Sequence, residues 1–595
     1  MTAETVAPSR LPPFTRWGAV IGLIAVLLLL SGCGASGTAS TLGSLASASS
    51  PRLPALGARD QYRLLLSRSK DLGPAGPAAI LSFFLSLRDP TAARERANVA
   101  SIYNPASPHY GHFDSPQSYA SRYGPSPHAA GQVLAWLRAR ELTGRWRRGD
   151  DWLYVTGPTR AIERAFHTAI HVYLSPRKTR FLAAPLDPVI PPALHLLVTG
   201  ASHVSNYFQP QKYAIPAGGL TPGGLLKAYD IQPLRNLGFS GQGQTVVFFE
   251  LDGYKQADFD QFTSKFGLPP IHPIIRGGPR LSTIEGETEM DLEVVHAIAP
   301  QARLVLYNID WSAALNSATS FADLGNKTIP LQDQMITENP GAVISESWGI
   351  CETLFGPQVS ALYESLYRKA DSLGETAFVS TGDSGAFTCL EAKNPGTPPG
   401  PDSLGTSLPA VASGATAVGG TRLSVRTDGS WFNETVWEDP PLAEGGGGGV
   451  SAYVARPSWQ RGPGVDNLQV DPNRMREIPD VSADADPDSG TANITGGQSS
   501  QGGGTSQSAP IMAGIATLVN QYLASRHLHR LGFLNPALYA LAAGHPLYPT
   551  FHDVTIGSNL YYPAGPGYDL ASGLGSVDAW NLARDLAQYQ KSGKP

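Results

Sequence analysis

The sequence predicts an α/β protein, a parallel sheet with helices on both faces, preceded by a smaller α+β unit. A chain of 595 residues is too long for one hydrophobic core, so two large folded units are expected. Over residues 213–595, short apolar segments alternate with helical ones, which is typical of a parallel sheet. The 64 glycines, 50 prolines and 16% charged residues describe a loop-rich globular protein rather than a coiled coil or a disordered chain.

The first unit, residues 58–212, combines helical and strand patterns. Val133, Leu134 and Leu137 share one helical face. Residues 152–155 and 171–174 are rich in aromatic and β-branched side chains, which favours strands. The pattern therefore predicts a small α+β unit.

The second unit, residues 213–595, repeats a strand–helix alternation. Predicted strands cover residues 245–249, 304–307, 342–344 and 377–380, and predicted helices cover residues 291–298 and 359–373. Such alternation places helices on both faces of a parallel sheet.

Charge divides unevenly between the two units. Residues 58–212 carry 19 Lys and Arg against 10 Asp and Glu, a balance of +9. Residues 213–595 carry 22 against 38, a balance of −16. The asymmetry predicts two units that attract each other, and the acidic second unit argues against nucleic-acid binding.

The amino terminus has the composition of an export signal. Arg10 and Arg16 precede a 14-residue run, 17–30, that is short for a membrane span. Its end, Leu-Ser-Gly-Cys, resembles the bacterial lipobox, which implies lipidation of Cys33. An uncleaved anchor and an ordinary signal peptide are the alternatives. Each places the folded chain outside the cytoplasm.

This interpretation makes residues 1–32 a lipoprotein-type signal peptide and residues 33–57, rich in Ser, Ala, Gly and Leu, a flexible linker. The remaining cysteines, Cys351 and Cys389, are an even pair in an oxidising compartment, so a disulfide is expected. Two cysteines without nearby histidines make a poor zinc site.

A candidate nucleophile lies in the glycine-rich turn before the apolar run 511–519. Gly502 to Gly504 precede Thr505 and Ser506, which places a small hydroxyl at a predicted helix start beside free N–H groups. These conditions suit an oxygen nucleophile. The alternative is a flexible loop that caps a buried helix.

A candidate base is the pair Glu287 and Asp291. In a helix the two carboxyls lie at i and i+4 on one face, so they share a proton and titrate as a unit. Such a base still functions in acid, where a histidine is protonated. The alternative is an acidic first turn that the helix dipole stabilises.

A third candidate, Asp383, follows the predicted strand that ends near residue 380. A carboxyl at a strand end beside glycines can face a cleft, and if it stays protonated it can donate a hydrogen bond to an oxyanion. The alternative is an aspartate in a Gly/Ser turn.

The order of these motifs resembles that of the sedolisins, the serine-carboxyl peptidases of kumamolisin type. Glu-x3-Asp, Gly-Asp-Ser-Gly and Gly-Thr-Ser-x-Ser-Ala-Pro follow one another, while residues 103–110 and 123–126 resemble the pro-segment of that family. Subtilisins share the nucleophile motif, but no His-Gly-Thr occurs, and the first strand ends in Glu250-Leu251-Asp252-Gly253. A subtilisin triad is therefore excluded.

The resemblance implies a subtilisin-like peptidase domain over residues 213–595 and a ferredoxin-like pro-peptide domain over residues 58–212, cut away between about 205 and 222. It implies that Ser506 is the nucleophile, Glu287 the general base and acid, Asp291 its partner and Asp383 the oxyanion donor. Other implied positions are a supporting network at Glu250 and Trp348, and a substrate cleft at Ser347 to Gly349 and at Gly445 to Gly449. A disulfide between Cys351 and Cys389 would brace both cleft walls.

A calcium site is also implied by the resemblance. Calcium prefers several oxygen ligands, and tight glycine turns expose carbonyls. One ion is expected, held by the carboxylates of Asp553 and Asp569 and the carbonyls of Val554, Gly565 and Gly567.

Together these features predict a secreted, lipid-anchored endopeptidase that is active in acid and matures itself from a precursor. Its expected partners are polypeptide substrates and its own pro-domain as an intramolecular inhibitor, with no nucleic acid and membrane contact only through the N-terminal lipid. A further hypothesis is that acid neutralises carboxylates of the second unit and so releases the first. The alternatives are a tripeptidyl exopeptidase or a catalytically silent surface binding protein on the same scaffold.

Overall fold

The computed structural model describes residues 61–176, 178–207, 219–276, 286–309, 320–389, 400, 403–467, 470–544 and 546–593. The expected signal segment, Cys33 and the linker lie outside the described residues, as does most of the predicted maturation region. Among the described helices, none has the length and hydropathy needed to cross a membrane.

The N-terminal part, residues 61–207, is an α+β unit. Its helices are α1 (Gln61–Arg68), α2 (Ala92–Ile102), α3 (Pro116–Arg122), α4 (Pro127–Arg138) and α5 (Thr159–Phe166). Its strands are β1 (Lys70–Pro74), β2 (Ile80–Leu87), β3 (Thr143–Arg145), β4 (Trp152–Pro158), β5 (His171–Leu174), β6 (Arg180–Ala183) and β7 (Val198–Ala201).

Four of these strands form an antiparallel sheet in the order β3-β4-β2-β7, with helices in the β2–β3 and β4–β7 connections. This order and these connections are those of a ferredoxin-like fold. The helical face predicted at Val133 and Leu137 is buried in the core of this unit, beside Phe166. A second sheet, β1-β5-β6, lies outside it.

The helices of the C-terminal part are α6 (Pro222–Ala228), α7 (Gln232–Asn236), α8 (Gln256–Phe266), α9 (Glu287–Ile298), α10 (Ser320–Glu338), α11 (Glu352–Phe355), α12 (Pro357–Leu373), α13 (Thr505–Ser525), α14 (Asn535–Ala543) and α15 (Ala579–Ser592). Its strands are β8 (Thr245–Glu250), β9 (Ile274–Arg276), β10 (Arg303–Asn308), β11 (Val343–Glu346), β12 (Ile350–Cys351), β13 (Thr376–Ser380), β14 (Ser407–Leu408), β15 (Thr416–Val425), β16 (Trp431–Val436), β17 (Glu438–Asp439), β18 (Glu444–Gly445), β19 (Gly449–Ala455), β20 (Met475–Ile478), β21 (Val481–Asp484), β22 (Ala492–Thr495), β23 (Gln498–Gln501), β24 (Phe551–His552) and β25 (Ser576–Val577).

The predicted parallel sheet is confirmed. Eight strands form it in the order β16-β15-β13-β11-β8-β10-β9, with β21 beside β15. All of its pairings are parallel except that of β15 with the edge strand β16. Adjacent residues of β8 face opposite cores, Phe248 towards α9 and α13 and Phe249 towards α10 and α12. Helices therefore cover both faces, as the alternating pattern predicts.

Helix α13 lies at the centre of the C-terminal part and packs against α9. The approach is close at Gly514, where an added Cβ would lie 2.9 Å from Cβ of Ile298. A side chain at this position would collide with Ile298, so the glycine allows the two helices to approach closely here. Their first turns carry the candidate nucleophile and the candidate base.

Buried ion pairs join the N-terminal part to the C-terminal part, with an unexpected polarity. Lys369 Nζ contacts Asp150 Oδ1 at 3.1 Å and Asp333 Oδ1 at 2.5 Å. Arg368 Nε contacts Glu95 Oε2 at 2.7 Å. The cations of these pairs belong to the acidic part and the carboxylates of Asp150 and Glu95 to the basic part. Net charge does not predict these contacts, whereas Arg147 Nη1 of the basic part contacts Asp333 Oδ2 of the acidic part at 2.6 Å, with the polarity that net charge predicts.

The pKa of Asp150 bears on the hypothesis that acid releases the N-terminal part. Burial, followed by the charge of Asp333, raises the pKa of Asp150 to about 8. On release, exposure would return it towards its ordinary value near 4. Docking therefore takes up a proton at this group, so at Asp150 acid favours the docked state over the released one.

Candidate active site

The candidate base lies at the start of helix α9. Gly286 precedes the helix with φ 102°, a conformation that favours glycine, and Glu287 is the first helical residue. Asp291 follows one turn later and is fully buried, whereas Glu287 is half-buried. The predicted helix therefore begins four residues earlier than the apolar pattern indicates, which brings both carboxyls onto it.

The candidate nucleophile lies at the start of helix α13, which begins at Thr505. Ser506 is 7% exposed, and its Oγ lies 3.4 Å from the carbonyl oxygen of Ser347. Ser506 and Glu287 line the same cavity. Burial and the charge of Asp291 raise the pKa of Glu287, and the neighbouring Ser506 hydroxyl offsets part of that rise. The serine hydroxyl thus lies beside the candidate base.

Asp383 follows strand β13 and faces the start of α13. Its Oδ1 accepts hydrogen bonds from the backbone N and from Oγ1 of Thr505, both at 2.7 Å. Its buried Oδ2 has no hydrogen-bond partner among the described residues. A Cβ added at Gly504 would lie 2.4 Å from this Oδ2, so glycine is required there. Oδ1 is therefore held by Thr505, and Oδ2 is available for a hydrogen bond with a group bound in the site.

Ser347 connects the base pair to the nucleophile. Its Oγ donates to Asp291 Oδ2 at 2.6 Å and lies 3.2 Å from the carbonyl oxygen of Ser506. That carbonyl is not used within helix α13, because Pro510, four residues on, has no N–H to donate. Ser347 was expected only as part of the substrate cleft, and its contacts make it part of the carboxyl network as well.

Behind Asp291 lies a third carboxyl, that of Glu250 at the end of β8. The charge of Asp291 is, after burial, the largest cause that raises the pKa of Glu250, so the two carboxyls lie near each other. Trp348 Nε1 donates to Glu250 Oε2 at 2.8 Å. Of the two expected supporting positions, Trp348 therefore holds Glu250, and Glu250 interacts with Asp291.

Burial controls the electrostatics of the cluster. It raises the pKa of Glu250 and of Glu287 well above the ordinary value, and the charge of Asp291 raises both further. It raises the pKa of Asp291 to about 7 and that of Asp383 to about 6. In acid, the cluster therefore holds protons, and the Ser506 hydroxyl only partly offsets the rise in the pKa of Glu287.

One cavity brings the candidate residues together. Among the described residues, its lining contains no histidine and consists of Glu287, Ser347, Trp348, Gly349, Ser380, Gly382, Asp383, Ser384, Thr388, Ser407, Thr505 and Ser506. The arrangement offers a hydroxyl, a carboxylate acceptor and a carboxylic acid donor to one bound group. It can therefore support nucleophilic attack on a carbonyl.

The glycines at 445–449 fit the expected role as a peptide-binding edge only in part. The N–H groups of Gly445, Gly446 and Gly447 already donate to the carbonyls of Asp383, Trp437 and Gly382. These groups are consequently not available to pair with an extended peptide. They hold the loop that carries Asp383.

Cys351 and Cys389 form a disulfide. Cys351 follows the Ser347 to Gly349 segment, and Cys389 follows the Asp383 loop. The bond ties these two walls of the cavity together.

Thr505, Thr288 and Asp252 are site residues that the sequence analysis did not single out. Thr505 anchors Asp383, while Thr288 donates from its N to Asp252 Oδ1 at 3.2 Å beside the base pair. For Asp252 a signal existed, since a carboxyl directly after a parallel strand lies at the edge where such sheets bind ligands.

The residues expected to bind calcium meet near the carboxyl end of the chain. Gly567 N donates to Asp553 Oδ2 and Gly565 N to Asp569 Oδ2, each at 2.9 Å. Ser572, next to this loop, contacts the carbonyl of Val554 at 3.3 Å. The set consists of oxygen donors, which calcium prefers, with two carboxylates and the rest carbonyls. No group of three or more His, Cys, Asp or Glu that could hold a metal occurs within the described residues.

Comparison with family models divides the chain in the same way as its sheets do. Residues 67–207 match the pro-kumamolisin activation domain, and residues 275–532 match the subtilase family. The second match includes Glu287 and Ser506, which line one cavity.

Similar proteins cover most of the chain. It is 31% identical over 404 residues to kumamolisin of Bacillus sp. (strain MN-32), spanning 65% of this chain and 67% of that protein. It is 28% identical over 601 residues to sedolisin of Pseudomonas sp. (strain 101), spanning 95% and 96%. Tripeptidyl-peptidase 1 of Dictyostelium discoideum is 26% identical over 365 residues, spanning 56% and 53%.

Among solved structures, Pseudomonas sedolisin complexed with two molecules of pseudo-iodotyrostatin superposes with a TM-score of 0.53 at 28% identity. The superposition covers 63% of this chain and 99% of that one.

Raised pKa values predict that the folded chain is most stable in acid. A buried carboxyl whose pKa is raised binds a proton in the folded state at a pH where the unfolded chain has lost it. Stability therefore falls as pH rises from about 5 to 8, through the folded values of Asp383 (about 6), Asp291 (about 7) and Glu289 (about 8). Each unit of difference contributes about 1.4 kcal/mol per group. We expect a melting temperature that is higher at pH 5 than at pH 8.

The measurement uses the Ser506→Ala chain, so that no reaction at Ser506 intervenes. Glu289→Gln serves as the matched variant, because Glu289 lies on α9 but outside the cavity lining. The Glu289→Gln substitution should reduce the fall in melting temperature between pH 5 and pH 8. A melting temperature that rises from pH 5 to pH 8 would contradict the prediction.

Proposed function

The chain belongs to the sedolisin family of serine-carboxyl peptidases, and we propose that it is an acid-active endopeptidase that uses Ser506 as its nucleophile. It is a peptidase precursor with an N-terminal pro-domain. The observation that carries the proposal is the single cavity lined by Ser506, Glu287 and Asp383. No histidine lines it within the described residues, so the base is a carboxylate.

In the proposed acylation step, Ser506 Oγ attacks the carbonyl carbon of the scissile peptide bond. Its proton passes to the carboxylate of Glu287, and the carbonyl oxygen becomes an oxyanion. Asp383, protonated on Oδ2, donates a hydrogen bond to that oxyanion. When the C–N bond breaks, Glu287 gives its proton to the leaving amine, and an ester on Ser506 remains.

Water completes the proposed cycle. It loses a proton to Glu287 as its oxygen attacks the ester carbon, and Asp383 again donates to the oxyanion. The C–O bond to Ser506 then breaks, and Glu287 returns the proton to Ser506 Oγ. Asp291 supports the base throughout, because its own proton leaves Glu287 as the charged member of the pair.

These roles set the sign of the pH dependence. Glu287 must be ionised and Asp383 must be protonated. Since the pKa of Asp383 is raised to about 6, its ionisation removes the oxyanion donor as pH rises through that value. Burial and the charge of Asp291 raise the pKa of Glu287 as well, so the ionised base is a minority form in acid and its fraction falls further as pH is lowered. Activity should therefore be highest in acid and fall towards neutrality.

We expect Ser506→Ala to give a folded precursor that does not process itself. Removal of the nucleophile should lower peptidase activity by about 10⁶-fold. Glu287→Gln should behave in the same way, because a neutral amide cannot accept the proton. Acid incubation followed by electrophoresis measures the processing, and a Ser506→Ala chain that still cleaves itself would overturn the assignment.

Digestion of a peptide library by the matured protein separates endopeptidase from tripeptidyl-peptidase action. The endopeptidase proposal requires cleavage at internal bonds of peptides with blocked amino termini. Release of tripeptides from free amino termini alone would favour the second mode, which is the one named for several relatives.

A pair of substitutions at Asp383 tests its proposed role. Asp383→Asn keeps an acceptor for Thr505 and places an N–H₂ donor where Oδ2 lies, whereas Asp383→Ala removes both. We expect Asp383→Ala to lower kcat by roughly 10²–10³-fold. Asp383→Asn should lose less and should no longer lose activity as pH rises through 6. If the activity of Asp383→Asn still falls as pH rises through 6, that fall is caused by another group.

We also propose that one calcium ion stabilises the loop of Asp553, Val554, Gly565, Gly567 and Asp569. The two carboxylates and the three carbonyls would hold it, and hydrogen bonds already bring these loop segments together. Bound calcium would supply charge neutralisation and cross-linking of the loop, with no part in the chemical steps.

Chelation should therefore lower the melting temperature of the protein, and added calcium should restore it. Asp553→Asn should abolish this response, whereas Asp466→Asn, at an exposed side chain outside the loop, should retain it. Equal responses of the two variants to calcium would place the ion elsewhere.

Export and lipidation of Cys33 complete the proposal. They rest on the signal-like amino terminus, and the disulfide between Cys351 and Cys389 is of the kind that persists in an oxidising compartment. Mass spectrometry of the mature amino terminus tests this part.

A further inference from the structure

Asp252 is a buried carboxyl beside the active site that the proposed mechanism does not use. It lies two residues beyond Glu250, immediately after strand β8, and is 2% exposed. A charged group at such a position requires partners. Its partners lie on the helix that carries the catalytic base.

The carboxylate of Asp252 serves the start of helix α9 as a capping group. The first N–H groups of a helix have no partner within it, and the residue before α9 is Gly286, which has no side chain to supply one. Asp252 Oδ1 accepts a hydrogen bond from Thr288 N at 3.2 Å and a short one from Thr288 Oγ1. The turn that presents Glu287 is therefore fixed from outside the helix.

The backbone of Asp252 strengthens this link. Its carbonyl oxygen lies 3.3 Å from Thr288 Oγ1 and accepts from Asn308 Nδ2 at 3.5 Å. Asn308 is the last residue of β10, the strand beside β8. The start of α9 is thus tied to the ends of two parallel strands.

Four carboxyls face Asp252. Glu250 ends strand β8, two residues before Asp252, and Glu287, Glu289 and Asp291 lie on α9. Burial raises the pKa of each of these four carboxyls, and the charge of Asp252 raises it further. The charges of two further carboxyls reach members of this group: Asp383 raises the pKa of Glu287, and Asp258 raises that of Glu289. Like charges in a buried site favour protonation of one another.

We propose that Asp252 is a positioning residue for the catalytic carboxyl pair, which holds the first turn of α9 in place and adds a negative charge beside Glu287 and Asp291. The inference rests on the proposed function of that pair. The capping bonds fix where Glu287 meets Ser506. The charge sets how readily the pair binds the proton that it takes from the serine.

The first test separates the charge of Asp252 from its shape. Asp252→Asn keeps an oxygen that can accept from Thr288 but removes the negative charge. The base then ionises at lower pH, so the low-pH limb of kcat/KM should move to lower pH by about one unit. The fall in activity near pH 6, which the Asp383→Asn variant tests as the ionisation of Asp383, should stay at the same pH.

The matched variant is Thr288→Val, which keeps the charge and the helix N–H but removes the hydroxyl donor. It should lower kcat with little change in KM, and its low-pH limb should not move to lower pH. A low-pH limb that is unchanged in Asp252→Asn, or a uniform loss of activity at every pH, would overturn the charge role. An unchanged kcat in Thr288→Val would overturn the positioning role.

A second readout does not depend on peptidase activity. In the Ser506→Ala chain, Asp252→Asn should flatten the fall in melting temperature between pH 5 and pH 8, because the neighbouring carboxyls lose part of their pKa shift. An unchanged slope would overturn the inference. If Asp252→Asn does not fold, Asp252→Ser removes the same charge in the same two measurements. A wild-type chain without peptidase activity, but with a flattened slope in the variant, would contradict the proposed function and would support only the electrostatic effect of Asp252 on the neighbouring carboxyls.

Discussion

The active site depends on the packing of helix α13 against helix α9. The two helices approach closely at Gly514 and Ile298, and their first turns carry Ser506 and Glu287. In the proposed mechanism neither residue acts alone, since the serine hydroxyl needs a base to take its proton. The glycine at 514 lowers intrinsic helix stability, but it allows the two helices to pack closely side by side.

In the proposed mechanism the reacting groups beside Ser506 are carboxyls. The fold buries these carboxyls, and none of the hydrogen-bond partners named for them is a cation. Glu250, Asp291 and Asp383 lie at the ends of parallel strands or on a helix beside them, with neighbours that are other carboxyls, hydroxyls or an indole N–H. Such surroundings make the neutral acid the stable form near pH 6. The same burial that keeps the donor Asp383 protonated also favours the protonated form of Glu287, so in the proposed mechanism the base acts through the fraction of molecules in which Glu287 is ionised.

Much of the fold and of the cavity could be predicted from the sequence. The strand–helix alternation gave the sheet because its buried strands are short and apolar, and the i, i+4 spacing placed Glu287 and Asp291 on one helix face. The roles of Thr505, Thr288 and Asp252 could not be predicted, because each depends on a contact between segments far apart in the chain. The polarity of the interface was not predictable from net charge either. A +9 and −16 balance describes surfaces, whereas Lys369, Asp150 and Asp333 meet inside the protein.

The buried contact of Lys369 with Asp150 has a consequence for the time course of activation. Breaking one peptide bond between the two parts would leave this contact and its neighbours intact, so a cleaved molecule would keep its N-terminal part docked. If the docked part inhibits the peptidase, as proposed, full activity would require its removal by a second, already active molecule. Activation would then be autocatalytic, with a lag that shortens as the protein becomes more concentrated.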